Sequence, residues 1–259
     1  LFKLLAQQTV KATGTAPVAA AGGTNTWLDL NADGWDDYVF TGGFFPSMGT
    51  FAQSSDQPGW LALRSAQGLR IATQAEFPGA TLGSVHAREI LSADFNGDRV
   101  PDLFIADHGY DAPPFPGHVN QLFLSNGQGG WRNASANLPQ SPDFTHSAVA
   151  GDVDGDGDID LFVGNIQLGQ AYFLLNDGRG QFTQERSLLP AGGGFATLYF
   201  ESCLLVDLNG DALPELVLGC RSPQRGPPLV LWNHGGSWAQ GDSTTLPVPA
   251  EVSGENTVL

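Results

Sequence analysis

Asp152-Val153-Asp154-Gly155-Asp156-Gly157-Asp158-Ile159-Asp160 places an aspartate at every odd position and runs straight into the apolar Leu161-Phe162-Val163. So much like charge beside a buried strand calls for a cation, because unpaired carboxylates are strongly disfavoured once desolvated. Oxygen-only donors select a hard divalent ion. Several protein carboxylates on a flexible loop favour Ca2+ over Mg2+, which prefers to keep its waters.

Three further stretches align with this one without gaps. They are Asp29-Leu30-Asn31-Ala32-Asp33-Gly34-Trp35-Asp36-Asp37, Asp94-Phe95-Asn96-Gly97-Asp98-Arg99-Val100-Pro101-Asp102 and Asp207-Leu208-Asn209-Gly210-Asp211-Ala212-Leu213-Pro214-Glu215. Their starts are separated by 65, 58 and 55 residues. Positions 1, 3, 5 and 9 are acidic or Asn in each, position 2 is apolar, and position 4 is Gly or Ala, where the chain must turn tightly. An EF-hand loop would need Glu at position 12 and a helix on each side. Here position 12 is Phe40, Ile105, Val163 or Leu218, inside a short apolar run that reads as a buried strand. The stretches before the loops, 24–28, 90–93, 147–151 and 202–206, are strand-like too, so each loop joins two antiparallel strands.

A second repeated feature follows each loop. Leu122–Trp131, Phe173–Phe182 and Leu229–Trp238 each read as strand, Asn/Asp/Gly turn and a strand opening on an aromatic; Trp60–Leu69 is a weaker copy. Every unit thus holds four strands in up-and-down order. Repeated four-stranded units that cannot bury their own faces predict an all-β β-propeller of antiparallel blades. The expected segments are a lead-in at 1–19, blades at 20–80, 85–140, 142–190 and 198–248, and the start of a further blade at 249–259.

The acidic loops, the Leu-Phe-Val-Gly strand and the Asn-Asp-Gly-x-Gly-x-Phe hairpin resemble FG-GAP/VCBS repeats, the calcium-binding blades also found in integrin α-subunits. The resemblance covers most of the chain. It implies about four blades of a larger, usually seven-bladed propeller, with a complete four-blade ring as the alternative. The residues expected to meet Ca2+ are Asp29, Asn31, Asp33 and Asp37 with the Trp35 carbonyl; Asp94, Asn96, Asp98 and Asp102 with Val100; Asp152, Asp154, Asp156 and Asp160 with Asp158; and Asp207, Asn209, Asp211 and Glu215 with Leu213. Glu215 is longer than its counterparts, and Arg99 stands where Gly or Ala is common, which makes the second loop the least regular.

Composition narrows the class. The 259 residues include 34 Gly and 17 Pro, punctuation suited to strands and turns. A formal charge of −16 argues against nucleic acid and anionic membranes as partners, and four Ca2+ would halve it. No apolar run approaches a membrane span. Calcium modules of this strength bind at about 10⁻⁴–10⁻³ M, which fits an extracellular, cell-surface or periplasmic location and a part of a larger polypeptide. Cys203 and Cys220 flank the fourth loop and read as two reduced thiols, with a cross-strand bridge as the alternative. Asn133-Ala134-Ser135 fits a short glycosylation sequon.

Up-and-down order puts the metal loops and the Asn/Gly hairpins on one face of the propeller. The long, aromatic-rich connections fall on the other, where binding residues tend to lie. The candidates there are His86, Arg88, His108, Tyr110, His118, His146 and Tyr199, with His86 and His146 at similar places in successive units. The expected function is a non-catalytic, calcium-stabilised binding or adhesion module for a protein or glycan. The rival is a polysaccharide lyase using His86, Arg88, Tyr110 and His146.

Overall fold

The apolar run after each acidic loop becomes the second strand of its own antiparallel sheet. The structure, a computed structural model, describes residues 12–13, 24–73, 75–77, 82–166, 171–192, 195, 198–220 and 227–247. The first sheet holds β1 (Ala12–Thr13), β2 (Asn25–Leu28), β3 (Asp37–Phe40), β4 (Trp60–Ser65) and β5 (Gly68–Ile71). The second holds β6 (Ala87–Ala93), β7 (Asp102–Asp107), β8 (Gln121–Ser125) and β9 (Trp131–Asn133). The third is β10 (Thr145–Gly151), β11 (Asp160–Asn165), β12 (Tyr172–Asn176) and β13 (Phe182–Glu185). The fourth is β14 (Phe200–Val206), β15 (Glu215–Cys220), β16 (Leu229–Leu231) and β17 (Ser243–Thr245). Strand order is sequential in every sheet, except that β1 lies parallel along the outer edge of β5. This is the all-β, blade-like repeat architecture of a β-propeller. The lead-in is described only at Ala12–Thr13, and the expected blade start at 249–259 lies outside the described residues.

One register recurs. Position 9 of each loop opens the second strand opposite the last residue of the first: Asp37 faces Leu28, Asp102 faces Ala93, Asp160 faces Gly151 and Glu215 faces Val206. The loop is therefore the whole connection between strands one and two.

The core lies between sheets, because each sheet is apolar on both faces. Leu30, at position 2 of the first loop, packs with Leu103, Ile105, Phe123 and Trp131 of the second sheet. Phe95 likewise joins Tyr172, Leu174 and Phe182 of the third sheet, and Val153 joins Leu216, Leu231 and Trp238 of the fourth. Full burial of a side chain such as Phe95 is worth about 1.5–3 kcal/mol, so position 2 fastens each blade to the next. Leu208, the fourth copy, is 51% exposed because no following sheet covers it among the described residues.

Cys203 is a free thiol facing Leu218 across β14 and β15, while Cys220 lies opposite Phe200. Burial pushes the Cys203 thiol up to about 12.

Candidate metal loops and the histidine-bearing cavity

The four acidic loops share one hydrogen-bond scheme. The position-1 carboxylate accepts the backbone N–H of position 6, from Gly34 to Asp29 (2.8 Å), Arg99 to Asp94 (2.8 Å), Gly157 to Asp152 (3.1 Å) and Ala212 to Asp207 (3.0 Å). The position-3 oxygen accepts the N–H of position 5, and the position-5 carboxylate accepts that of position 7. The chain thereby coils around the acidic side chains. Positions 4 and 6 both need the left-handed region to do so. Arg99 adopts it (φ 68°) just as Gly34 (86°), Gly157 (95°) and Ala212 (71°) do. The irregular residue thus keeps the common loop shape and carries the strain that a side chain meets there.

Position 9 has a second role that the spacing alone did not disclose. Asp37, Asp102, Asp160 and Glu215 are almost fully buried, and each accepts the N–H of its own position 2, from Leu30, Phe95, Val153 and Leu208. The other oxygen of the three aspartates accepts an N–H from a later strand: Arg64 to Asp37 (2.8 Å), Ser125 to Asp102 (2.6 Å) and Asn176 to Asp160 (2.8 Å). These carboxylates tie the loop to the sheet. Burial pushes Asp37 up to about 6, Asp102 to about 7 and Asp160 to about 6. A nearby cation would act in the opposite direction. Asp160 keeps a lone pair on each oxygen for one, whereas both Asp102 oxygens also accept from Asn96.

The loops have donors suited to a hard ion. Asp152, Asp154 and Asp156 each bring a carboxylate oxygen to within 4.8 Å of the others. Asp158, expected to offer its carbonyl, also turns its side chain toward the sheet. It is half-buried against the third sheet's hairpin, where a Cβ on Gly178 would stand 2.5 Å from its carboxylate. In the second sheet the Ser125 hydroxyl donates to Asp98 in the same way, so loops and hairpins share one face.

The opposite face gathers the histidines. His86, His108 and His146 are all buried, with ring centroids 4.2 Å apart for His86–His108 and 4.9 Å for His108–His146. Phe45 packs at a tilt on His86 and Phe144 on His108. Burial first, then the neighbouring rings and Arg88, lowers His108 to about 2 and so keeps it neutral.

His86 and His146 do not occupy equivalent places. The pairing register slips by one residue at Arg88, at His146 and at Glu201, each six residues before its loop. Such a bulge re-aims the extra side chain. All three bulged residues line one cavity of about 370 Å³, together with Thr24, His86 and Glu89. His86 instead corresponds to Phe144 and Tyr199, eight residues before their loops. Glu201 and Glu89 are cavity residues the sequence reading passed over. Alignment of the six-residue offset was the signal that finds Glu201.

The other candidates stand apart from this cavity. Tyr110 packs on Phe44 and Phe51 and donates its hydroxyl to the Gly49 carbonyl (2.9 Å). His118 lies between Asp56 (3.2 Å) and Asp107 (3.3 Å). Burial alone would lower its pKa, but hydrogen bonds to Asp107 and Asp56 outweigh that and raise it to about 10. Tyr199 is half-buried just before β14.

The FG-GAP-like repeat family model matches residues 94–163 and 152–218. Among solved structures, the V. cholerae biofilm matrix protein Bap1 is similar at 19% identity and a TM-score of 0.40, over 83% of this chain and 27% of that one. The chain thus spans about a quarter of that protein's length. No curated protein matches. From its second acidic loop through the strand that follows its fourth, residues 94–218, the chain is built of FG-GAP-like repeats.

Proposed function

We propose that the chain is a calcium-stabilised, extracellular binding module, and that it holds a protein or glycan ligand in the cavity lined by Arg88, His146 and Glu201. The observation that carries this reading is the separation of roles between faces. One face bears oxygen-donor loops fastened to the sheets, and the other bears a cavity with both charges and no share in those loops. A volume of about 370 Å³ suits one sugar ring or a few side chains. FG-GAP repeats commonly bind calcium, and Asp152, Asp154 and Asp156 would hold an ion in the third loop, with Asp160 bracing it from the sheet. Ca2+ would supply the positive charge the clustered carboxylates lack. Among the described residues no helix is long and apolar enough to cross a membrane.

The lyase reading needs Tyr110 beside His86, Arg88 and His146. Its hydroxyl is engaged by Gly49 and its ring by Phe44 and Phe51, which favours binding over catalysis. Calcium is tested by thermal melts with chelator. At about 1 mM Ca2+ and a Kd of about 10⁻⁴ M each site contributes ~1.4 kcal/mol, so chelation should lower Tm and calcium should restore it. A Tm indifferent to chelator removes the calcium part of the reading. Ligand binding is tested by screening polysaccharides and matrix proteins with the native chain and Arg88→Ala. Retention lost in Arg88→Ala, with no unsaturated uronate product, is expected; product formation abolished in His146→Ala would establish the lyase instead.

A further inference from the structure

We propose that His86, His108 and Asp111 form a site for one divalent transition-metal ion of the zinc class, separate from the acidic loops. One ligand atom from each of the three lies within 4.8 Å of the others, and His108 Nε2 is 4.0 Å from Asp111 Oδ2. Both ring nitrogens of His108, a residue with no exposed surface, lack a hydrogen-bond partner, as does Nδ1 of His86. Leaving one such buried polar atom unpaired costs about 1–3 kcal/mol. An ion bound there takes one nitrogen from each ring and so recovers part of that cost.

The donor set selects the metal. Two neutral imidazoles and a carboxylate suit zinc, copper or nickel and not calcium, which takes oxygen. Two His and one acid also leave a coordination position for water or an incoming ligand. Tetrahedral zinc wants its donors about 3.3 Å apart. The two rings are buried against one another, whereas Asp111 sits on an exposed connection with its side chain 43% accessible and is free to close the remaining gap. His86 also lines the Arg88–His146–Glu201 cavity, so an ion it holds borders that cavity. His118 offers a contrast. Both its nitrogens already face carboxylates, at 3.2 and 3.3 Å, so it has no lone pair for a metal.

The test uses the whole chain with calcium in excess, which occupies oxygen-donor loops, and titrates Zn2+ calorimetrically and Co2+ by visible absorption. One zinc per chain is expected, with Co2+ bands of a nitrogen-ligated, low-coordinate centre. Asp111→Ala, on the exposed connection, should weaken zinc at least about tenfold and leave the melting temperature without zinc unchanged. His86→Ala should weaken it further. His234→Ala controls for the exposed His234–Asp242 pair, 3.2 Å apart in the connection between β16 and β17, and should change nothing. Zinc uptake that is absent, insensitive to Asp111→Ala, or lost in His234→Ala overturns the assignment.

Discussion

Replacing His118 with glutamine should cost about 2–3 kcal/mol near pH 6 and almost nothing near pH 10. The imidazolium bridges Asp56, on the connection between β3 and β4, and Asp107, at the end of β7. It therefore pins the first sheet to the second on the histidine-bearing face. A pKa raised from 6.5 to about 10 would correspond to ~5 kcal/mol if all of it were stability. Two facts reduce that. Asp56 is 54% exposed, so water screens its share. Asp107 keeps three backbone N–H bonds from Val85, His86 and Gly109, so it is not orphaned when the ring is removed. Two charge-assisted bonds of more than 3 Å, longer than ideal, then leave about 2–3 kcal/mol. The folded pKa lies above the ordinary one, so the contribution is whole below pH 6.5 and is lost as pH rises toward 10. Thermal melts of both proteins from pH 6 to 10 read this out. The native protein should melt about 5–10 °C higher at pH 6, and the gap should close by pH 10. A gap that stays constant across the range would mean packing and not charge; no gap at pH 6 would mean the bridge contributes nothing.

Two further predictions test backbone geometry. Arg99→Gly should raise stability by about 0.5–1 kcal/mol, because relief of the left-handed strain outweighs the entropy glycine adds to the unfolded chain; chemical denaturation measures it, and a loss would show that the Arg99 side chain does more than occupy the turn. Gly117→Ala should destabilise by ~2 kcal/mol or more and disturb the histidine face, since φ is +71° there and the added Cβ would stand 2.4 Å from the Asp143 carbonyl oxygen; an unchanged melting curve would contradict the tight contact.

The repeat was legible because it is local. Each loop closes on residues within nine positions, and each strand that follows is a short apolar run, so Asp152–Asp160 and its copies announced turn, strand and sheet without reference to anything distant. Position 9 was legible only in part. Its acidity marks it as a ligand candidate, but Ser125 N–H reaching Asp102 from 23 residues away is a product of strand pairing. The histidine face was harder still. Its residues were picked out by type and by the topological rule that assigns loops to faces. Grouping them as equivalents of one another failed, because a one-residue register slip decides which side chain turns inward.

What the sequence determined by itself is the blade: acidic loop, buried strand and Asn/Gly hairpin, repeated in the same order, since those depend on neighbours along the chain. What only the tertiary structure decided is everything held between blades. Arg88, His146 and Glu201 meet at one cavity, His108 packs between His86 and His146, and His118 joins Asp56 to Asp107. Those groups are brought together by sheet-on-sheet packing, whose position-2 anchors Leu30, Phe95 and Val153 fix how each blade meets the next.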